Sequence, residues 1–400
     1  MSTQEVTTRK AVAWSLTRLD LAGAFGDIGV LFPIAIALIT LNHLNPTAVF
    51  LAAGAAYIVA GRYFRIPIAV QPFKAVAAIA LALSLPPSAI ASAGLLMGVL
   101  LLLIAVTNFA TQLARLFTVP IVRGIQLGLG LLLAREGARM ILTARAALEL
   151  PGRVAAAPWA VALFGALVLV LLRNSRRVPA ALVLLGAGII LGLLARHQPI
   201  GSLALSPVPI TVLHPHWAEL ESVLFVLVVP QFALTFGNSI VATEDTARIL
   251  YGDQARRVTV RALSYSIGIV NVITAFLQGA PLCHGSGGIT AHNKFGARSA
   301  KSSYVIGGIC LLLALVGHAA IGILNVIPTA ILAVFLVYVG IQHAGYIRDV
   351  LREPAKIFVA AAVGLVAFAT TNLMWGFLTG FILEAIFAVT IRRQKAEHPG

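Results

Sequence analysis

The stretch PLCHGSGGIT, residues 281–290, contains three glycines, a histidine, a cysteine and a serine, but no Asp, Glu, Lys or Arg. Apolar runs long enough to cross a bilayer flank it on both sides. In a soluble protein this composition would indicate a phosphate-binding loop or a metal-binding turn. A polar, glycine-rich turn at membrane depth needs another explanation, which the rest of the chain supplies.

The composition is that of an integral membrane protein. Of the 400 residues, 59% are hydrophobic and 11% are charged, whereas soluble domains carry about 25% charged residues. The net charge of +15 arises from Lys and Arg residues in short connections between apolar runs. That arrangement is typical of topology signals and not of a nucleic-acid-binding face. No polar block is long enough for a soluble domain, so we expect one membrane domain over residues 1–400.

The apolar runs predict an all-α polytopic protein with about fourteen transmembrane segments. Clear candidates cover residues 21–41, 47–62, 89–109, 119–133, 159–172, 180–195, 223–242, 260–277, 304–326, 330–345, 357–371 and 375–391. Two further segments, 67–85 and 280–295, are apolar overall but are interrupted near their start by proline and polar residues. With a cytoplasmic N-terminus, the positive-inside rule is obeyed, because the outer connections contain only Arg135, Arg139, Arg145, Arg153 and Arg196. We expect both termini in the cytoplasm, at a bacterial inner membrane.

The two halves of the chain resemble each other. Three features recur with an offset of about 210 residues, each linking segments seven apart: FGD at 25–27 with FGN at 236–238, Pro72 with Pro281, and Pro120 with Pro328. Because seven is odd, the halves would be oppositely oriented, which is a recurrent construction in transporters. We predict a first inverted repeat over residues 19–196 and a second over 222–392.

The third and tenth segments are predicted to be broken, each with a short extended stretch followed by a half-helix. Proline removes a backbone donor and favours an extended predecessor, and unwound backbone at this depth must be buried or line a cavity. Two such segments in equivalent places indicate a transport site. Half-helices that begin near Phe73 and Gly285 would present N–H groups and positive dipole ends, which suits an anion.

The candidate anion-binding residues lie in or beside these breaks and in the eighth segment: Gln71, Phe73, Lys74, Gln231, Asn238, His284, Gly285, Ser286, Gly287 and Gly288. The glycines would let backbone amides approach an oxygen, and Ser286 would add a hydroxyl donor. Lys74 is an intramembrane lysine, and such residues usually have a function; alternatively it snorkels or pairs with Asp27. Because a bare carboxylate would repel a dianion, Asp27 is expected to form that ion pair or to carry a coupling proton.

The remaining polar residues suggest less. Cys283 and His284 do not predict a metal site, because adjacent residues on a turn rarely converge on one ion, and no cofactor is expected. His292 and Lys294 are expected on the exit side of the tenth segment, and Glu384 at a gate or homodimer contact.

Four stretches resemble the hallmark sequences of the molybdate transporter family, a relative of the SulP sulfate permeases: GAFGDIGVLFPI (23–34), VQPFKAVAA (70–78), PQFALTFGNSI (230–240) and PLCHGSGGITAHNKFGARS (281–299). The resemblance implies a seven-plus-seven inverted-repeat fold in which a core domain, segments 1–4 and 8–11, moves against a gate domain. SulP permeases usually carry a STAS domain after the last segment. Only a short tail follows Ile391, so we expect no STAS domain here.

The leading functional hypothesis is a secondary active importer of a tetrahedral oxyanion, molybdate first and sulfate next, that works by alternating access. Proton symport is an open expectation, since moving a dianion into a negative-inside cell costs about 2.3 kcal/mol per charge per 100 mV. An anion channel of the same fold is one alternative. A nucleobase permease is another, but the eighth and tenth segments lack a central carboxylate. An enzyme is disfavoured because no nucleophile and base occur at a recognisable spacing.

Overall fold

The computed structural model describes residues 16–107, 109, 112, 118–144, 148–150, 154–172, 180–195, 204–212 and 220–397. Helix α1 (Arg18–Leu41) begins at a capping box, in which Asp20 N donates to Thr17 Oγ1 and Thr17 N donates to the Asp20 carboxylate. Helix α2 (Pro46–Phe64) begins after Asn45, whose side-chain oxygen accepts from Ala48 N. Both helices thus start at side-chain caps.

The third segment contains the two-residue strand β1 (Gln71–Pro72) and the short helix α3 (Lys74–Leu83). At about 1.5 Å per residue, α3 extends over only about half of a hydrocarbon layer. Helix α4 (Pro87–Thr107) follows, then α5 (Val119–Thr143). The hairpin of β2 (Leu148–Leu150) and β3 (Val154–Ala156) leads to α6 (Pro158–Leu172) and α7 (Ala180–Ala195).

The second half opens with the long helix α8 (Leu220–Arg257). Two π-helical stretches, Leu224–Val228 and Thr235–Val241, interrupt it on either side of Pro230 and Gln231. Such stretches often occur at functional sites, and the second contains Asn238.

The tenth segment repeats the construction of the third. After α9 (Val260–Phe276) come the two-residue strand β4 (Leu282–Cys283) and the short helix α10 (Ser286–Lys294). Strands β1 and β4 pair antiparallel, with Gln71 opposite Cys283 and Pro72 opposite Leu282. Through this strand pairing, the two interrupted segments contact each other directly in the buried interior.

The chain ends with five helices, the first two of which meet at a bend of 93°: α11 (Lys301–Leu315), α12 (Gly317–Leu324), α13 (Thr329–Ala344), α14 (Pro354–Thr370) and α15 (Leu373–Glu397). A 3₁₀ turn, Gly345–Val350, continues α13.

The helices of the two halves pack against one another in a regular pattern. Helix α2 packs on α11, α4 on α9, and α5 on both α13 and α14. Three of these crossings are made by pairs of glycines whose backbones approach so closely that a Cβ on either would lie within about 3 Å of the partner's carbonyl oxygen: Gly54 with Gly307, Gly98 with Gly268, and Gly130 with Gly340. Such small-residue crossings are typical of helix packing in membranes.

By length and composition, the described residues contain five helices able to cross a membrane, or seven if each of two bent pairs is one span. Five shorter apolar helices, α3 among them, accompany these. The protein is thus mostly helical and multi-pass. The predicted count of fourteen segments is not established, because helices as short as α3 do not meet the length required of a membrane span.

Candidate functional site

A cavity of about 190 Å³ lies between the short helices α3 and α10 on one side and α13 on the other. Two lysines, Lys74 and Lys294, contribute to its lining, and no Asp or Glu among the described residues does. The other polar residues that line it are Gln71, Asn238, Tyr338, Gln342, His343 and Tyr346. A cavity with this lining favours a negatively charged guest.

Lys74 is the first residue of α3 and is 6% exposed. Its ammonium nitrogen lies 3.6 Å from the position that a Cβ on Gly285 would occupy, so it reaches the start of α10. Within the described part of the chain, no hydrogen bond or ion pair engages it. A buried ammonium without an acceptor is costly, and an anion in the cavity would supply one.

The expected ion pair between Asp27 and Lys74 is not formed. Asp27 is fully buried, and its two carboxylate oxygens accept hydrogen bonds from the Tyr57 hydroxyl and from Gln71 Nε2. Because neutral donors occupy both oxygens, Asp27 is held without a cation, and the ammonium stays available to the cavity.

Gln71 connects Asp27 to the cavity. Its Nε2 must be the atom that faces Asp27, because a carboxylate only accepts. Its Oε1 is buried without a partner among the described residues, and lies 2.8 Å from the Cβ position of Gly285. Gln71 therefore lines the cavity, and its amide orientation is set by Asp27.

Gln231 has a different role from the one expected. Its Oε1 accepts from Ala75 N at 2.9 Å and from Val76 N at 3.2 Å, while its Nε2 donates to Thr235 at 2.8 Å. It does not line the cavity. The sequence-based hypothesis placed an anion at the first turn of α3. In the structure, the side-chain oxygen of Gln231 accepts from the N–H groups there instead.

The first turn of α10 faces the cavity. Gly287 and Gly288 line it, and the Tyr346 hydroxyl lies 2.9 Å from the Cβ position of Gly287. Gly288 N donates to Gly285 O at 3.1 Å, whereas the first N–H groups of a helix, those of Ser286 and Gly287, have no intrahelical acceptor. Ser286 Oγ donates to Asn238 Oδ1 at 2.9 Å, so its hydroxyl proton is already used and is not the free donor that was expected.

His284 and Phe73 hold the backbone instead of facing a ligand. His284 Nδ1 lies 2.8 Å from Ala69 O and Nε2 lies 2.9 Å from Ser266 Oγ. Since a carbonyl only accepts, Nδ1 carries a proton. Phe73 is buried, and its N–H donates to Pro281 O at 2.8 Å. Neither residue lines the cavity. Each instead forms a hydrogen bond between the third and the tenth segment.

Sequence reasoning missed Tyr57, Gln126 and Tyr346. Tyr57 and Gln126 are buried in uninterrupted helices, and Gln126 Nε2 donates to Asn238 Oδ1 at 3.4 Å. The available signal was a polar residue inside an apolar span, which is a functional hypothesis by default. Lys294, assigned to the exit side, contributes to the cavity lining.

Residues 20–133 and 224–342 match the model of a family described as "Molybdate transporter of MFS superfamily". The chain is 28% identical over 408 residues to Molybdate transporter 2 of Arabidopsis thaliana, a match that covers 91% of this chain and 86% of the relative. It is 26% identical over 492 residues to Molybdate transporter 1 of Chlamydomonas reinhardtii, with 96% and 94% covered.

The fold is similar to that of two solved transporters. The transmembrane domain of a cyanobacterium bicarbonate transporter, BicA, superposes with a TM-score of 0.66 at 16% identity, over 90% of this chain and 96% of that chain. Murine Solute Carrier 26 family member A9, an anion transporter in the inward-facing state, gives 0.65 at 15% identity, over 97% and 73%. These likenesses show the fold, and the family match covers more than half of the chain. The chain belongs to the molybdate transporter family.

Proposed function

We propose that the chain is a secondary transporter that imports a tetrahedral oxyanion, molybdate, by alternating access. The observation that carries the proposal is the cavity at the first turn of α10, whose described lining contains two lysines and no carboxylate. The relatives named as molybdate transporters support the choice of anion.

Charge and hydrogen bonding both suit a dianion. The Lys74 ammonium has no acceptor among the described residues, and the two unsatisfied N–H groups at the start of α10 lie beside the positive end of that helix. Hydrogen bonds to charged groups contribute about 1.5–3 kcal/mol each. A doubly charged oxyanion would satisfy all of these donors at once.

The proposed architecture is two inverted repeats of seven segments, residues 19–196 and 222–392. In such a repeat, α2 corresponds to α9 and α4 corresponds to α11. The contact between α2 and α11 should therefore have a counterpart between α9 and α4, and both contacts are present. The glycine pairs follow the same correspondence, because Gly54 and Gly307 take the places of Gly268 and Gly98. A core that contains α1, α3, α8 and α10 would carry the anion against a gate that contains α5 and α13.

Proton symport fits the surroundings of Asp27. This carboxylate is one hydrogen bond away from the cavity through Gln71. A proton taken up there would offset part of the dianion's charge. We assign Asp27 to coupling and not to direct ligation.

A titration tests the function. Purified protein is titrated with molybdate, tungstate and sulfate at several pH values. Molybdate and tungstate are expected to bind more tightly than sulfate; equal or tighter sulfate binding would contradict the choice of molybdate and favour a sulfate transporter. Saturable uptake of molybdate into proteoliposomes, inhibited competitively by tungstate, would exclude an anion channel. Nucleobase binding would contradict the whole assignment.

A further inference from the structure

A chain of polar side chains runs from α5 to the first turn of α10. Arg123 Nη1 donates to Gln126 Oε1 at 3.0 Å, and Gln126 Nε2 donates to Asn238 Oδ1 at 3.4 Å. Ser286 Oγ donates to the same Asn238 oxygen at 2.9 Å. Gln126 is 1% exposed and Asn238 is 6% exposed. This series of hydrogen-bonded side chains connects α5 to the wall of the cavity through buried amides.

Arg123 determines the direction of these hydrogen bonds, because a guanidinium has five donors and no acceptor. Its Nη2 pairs with Asp349 at 2.6 Å, and its guanidinium carbon lies 5.5 Å from the centre of the Tyr346 ring. Both contacts hold Arg123 in place. Gln126 therefore has to turn its oxygen toward Arg123 and its NH₂ group toward Asn238.

Asn238 must in turn face Gln126 with its oxygen, since two NH₂ groups would repel each other. Its Oδ1 accepts from both Gln126 and Ser286, whereas its Nδ2 donates to none of the described residues. Asn238 lines the cavity. Fixing the oxygen on the protein side leaves the amide donor for a ligand.

We propose that Arg123, acting through Gln126, is a positioning residue that fixes Asn238 with its amide donor toward the cavity. The site then favours an anion whose oxygens are all acceptors, such as molybdate, over one that carries an O–H group, such as hydrogenphosphate. This inference rests on the oxyanion function proposed above.

Three substitutions distinguish an effect of the Asn238 amide orientation from an effect of side-chain packing. Gln126→Glu has nearly the same shape but can only accept, so Asn238 must turn its NH₂ toward the new carboxylate and its oxygen into the cavity. Molybdate affinity is expected to fall by about 10- to 100-fold. Gln126→Met leaves Asn238 free to take either orientation, which costs about twofold. Arg123→Met removes the donor that orients Gln126, so Gln126 and Asn238 can each take either orientation and molybdate affinity is expected to fall by about twofold.

A double-mutant cycle with Asn238→Ala excludes a simple charge effect. If Gln126→Glu acts through Asn238, its effect on the molybdate dissociation constant should shrink to within about threefold in the Asn238→Ala background. An equal loss in both backgrounds, or no loss in the wild-type background, would overturn the inference. Absence of any oxyanion binding to the wild type would instead overturn the proposed function.

Gln126→Met provides a second readout if the glutamate variant does not fold. At about pH 8, where molybdate and hydrogenphosphate are both dianions, the freed Asn238 could turn its oxygen to accept from the phosphate O–H. Hydrogenphosphate should then compete with molybdate at least about twofold better than in the wild type. Unchanged competition in a variant whose thermal unfolding midpoint equals that of the wild type would contradict the proposal.

Discussion

Replacing Gly288 with alanine should damage both stability and anion binding. A Cβ at this position in α10 would lie 2.5 Å from Asp27 Oδ1 and 2.7 Å from Gln71 Nε2, and would overlap the Cβ of Ala69, whereas ordinary van der Waals contact begins at 3.4 Å. Asp27 and Gln71 are both buried and bonded to each other. Overpacking of this kind costs about 1–3 kcal/mol, and the better helix propensity of alanine returns only about 0.5–1 kcal/mol.

The assay measures the thermal unfolding midpoint and the molybdate dissociation constant of the purified variant. We expect a lower midpoint and at least about tenfold weaker binding, because the added Cβ would push α10 away from Asp27 and Gln71 and so move the Ser286 and Gly287 N–H groups out of position for an anion. Gly308→Ala is the matched control: it makes the same change inside α11, where an added Cβ meets nothing within 4 Å. If Gly288→Ala behaves like Gly308→Ala in both measurements, the proposed packing of Asp27 and Gln71 against α10 is wrong.

Two further predictions concern buried hydrogen bonds. Gln231→Leu leaves two N–H groups of α3 without an acceptor and should lower the free energy of unfolding by about 1–3 kcal/mol; Gln231→Glu keeps the acceptor for both N–H groups and should unfold at a higher midpoint than Gln231→Leu. Equal stability of the two variants would contradict the capping role. Tyr57→Phe removes one donor to Asp27 and should destabilise by about 1–3 kcal/mol, whereas Tyr63→Phe, at a half-exposed ring in the same helix, should unfold like the wild type in the same thermal assay.

The sequence indicates breaks in the third and tenth segments because proline interrupts a strong apolar pattern there, and that these are broken membrane spans stays a prediction. Pro72 and Pro281 stand in otherwise apolar runs, and in the structure each belongs to or adjoins a two-residue strand followed by a short helix. The accumulation of glycine after His284 predicts close approach of the backbone to a ligand oxygen; in the structure, Asp27, Gln71 and Ala69 fill the space at Gly288 and leave no room for a side chain. These features depend on local chemistry, which a sequence records directly.

The partners of the polar side chains could not be predicted in the same way. Gln231 and His284 have the right chemistry for an oxyanion, but the rotation of α8 turns Gln231 onto α3, and His284, which lies between β4 and α10, contacts Ala69 O. Tyr57 and Gln126 acquire their roles only because distant segments pack beside them. Such contacts depend on tertiary packing, and nothing near these residues in the sequence encodes them.

The most direct test of the site is a structure determined with tungstate, a heavy analogue of molybdate whose scattering identifies its position. The tungstate is expected in the cavity, within hydrogen-bonding distance of the Lys74 ammonium and of the backbone N–H groups of Ser286 and Gly287. The same experiment with Lys74→Met should show the cavity without tungstate. Tungstate bound elsewhere in the wild type, or bound in the cavity of both proteins with equal occupancy, would contradict the account.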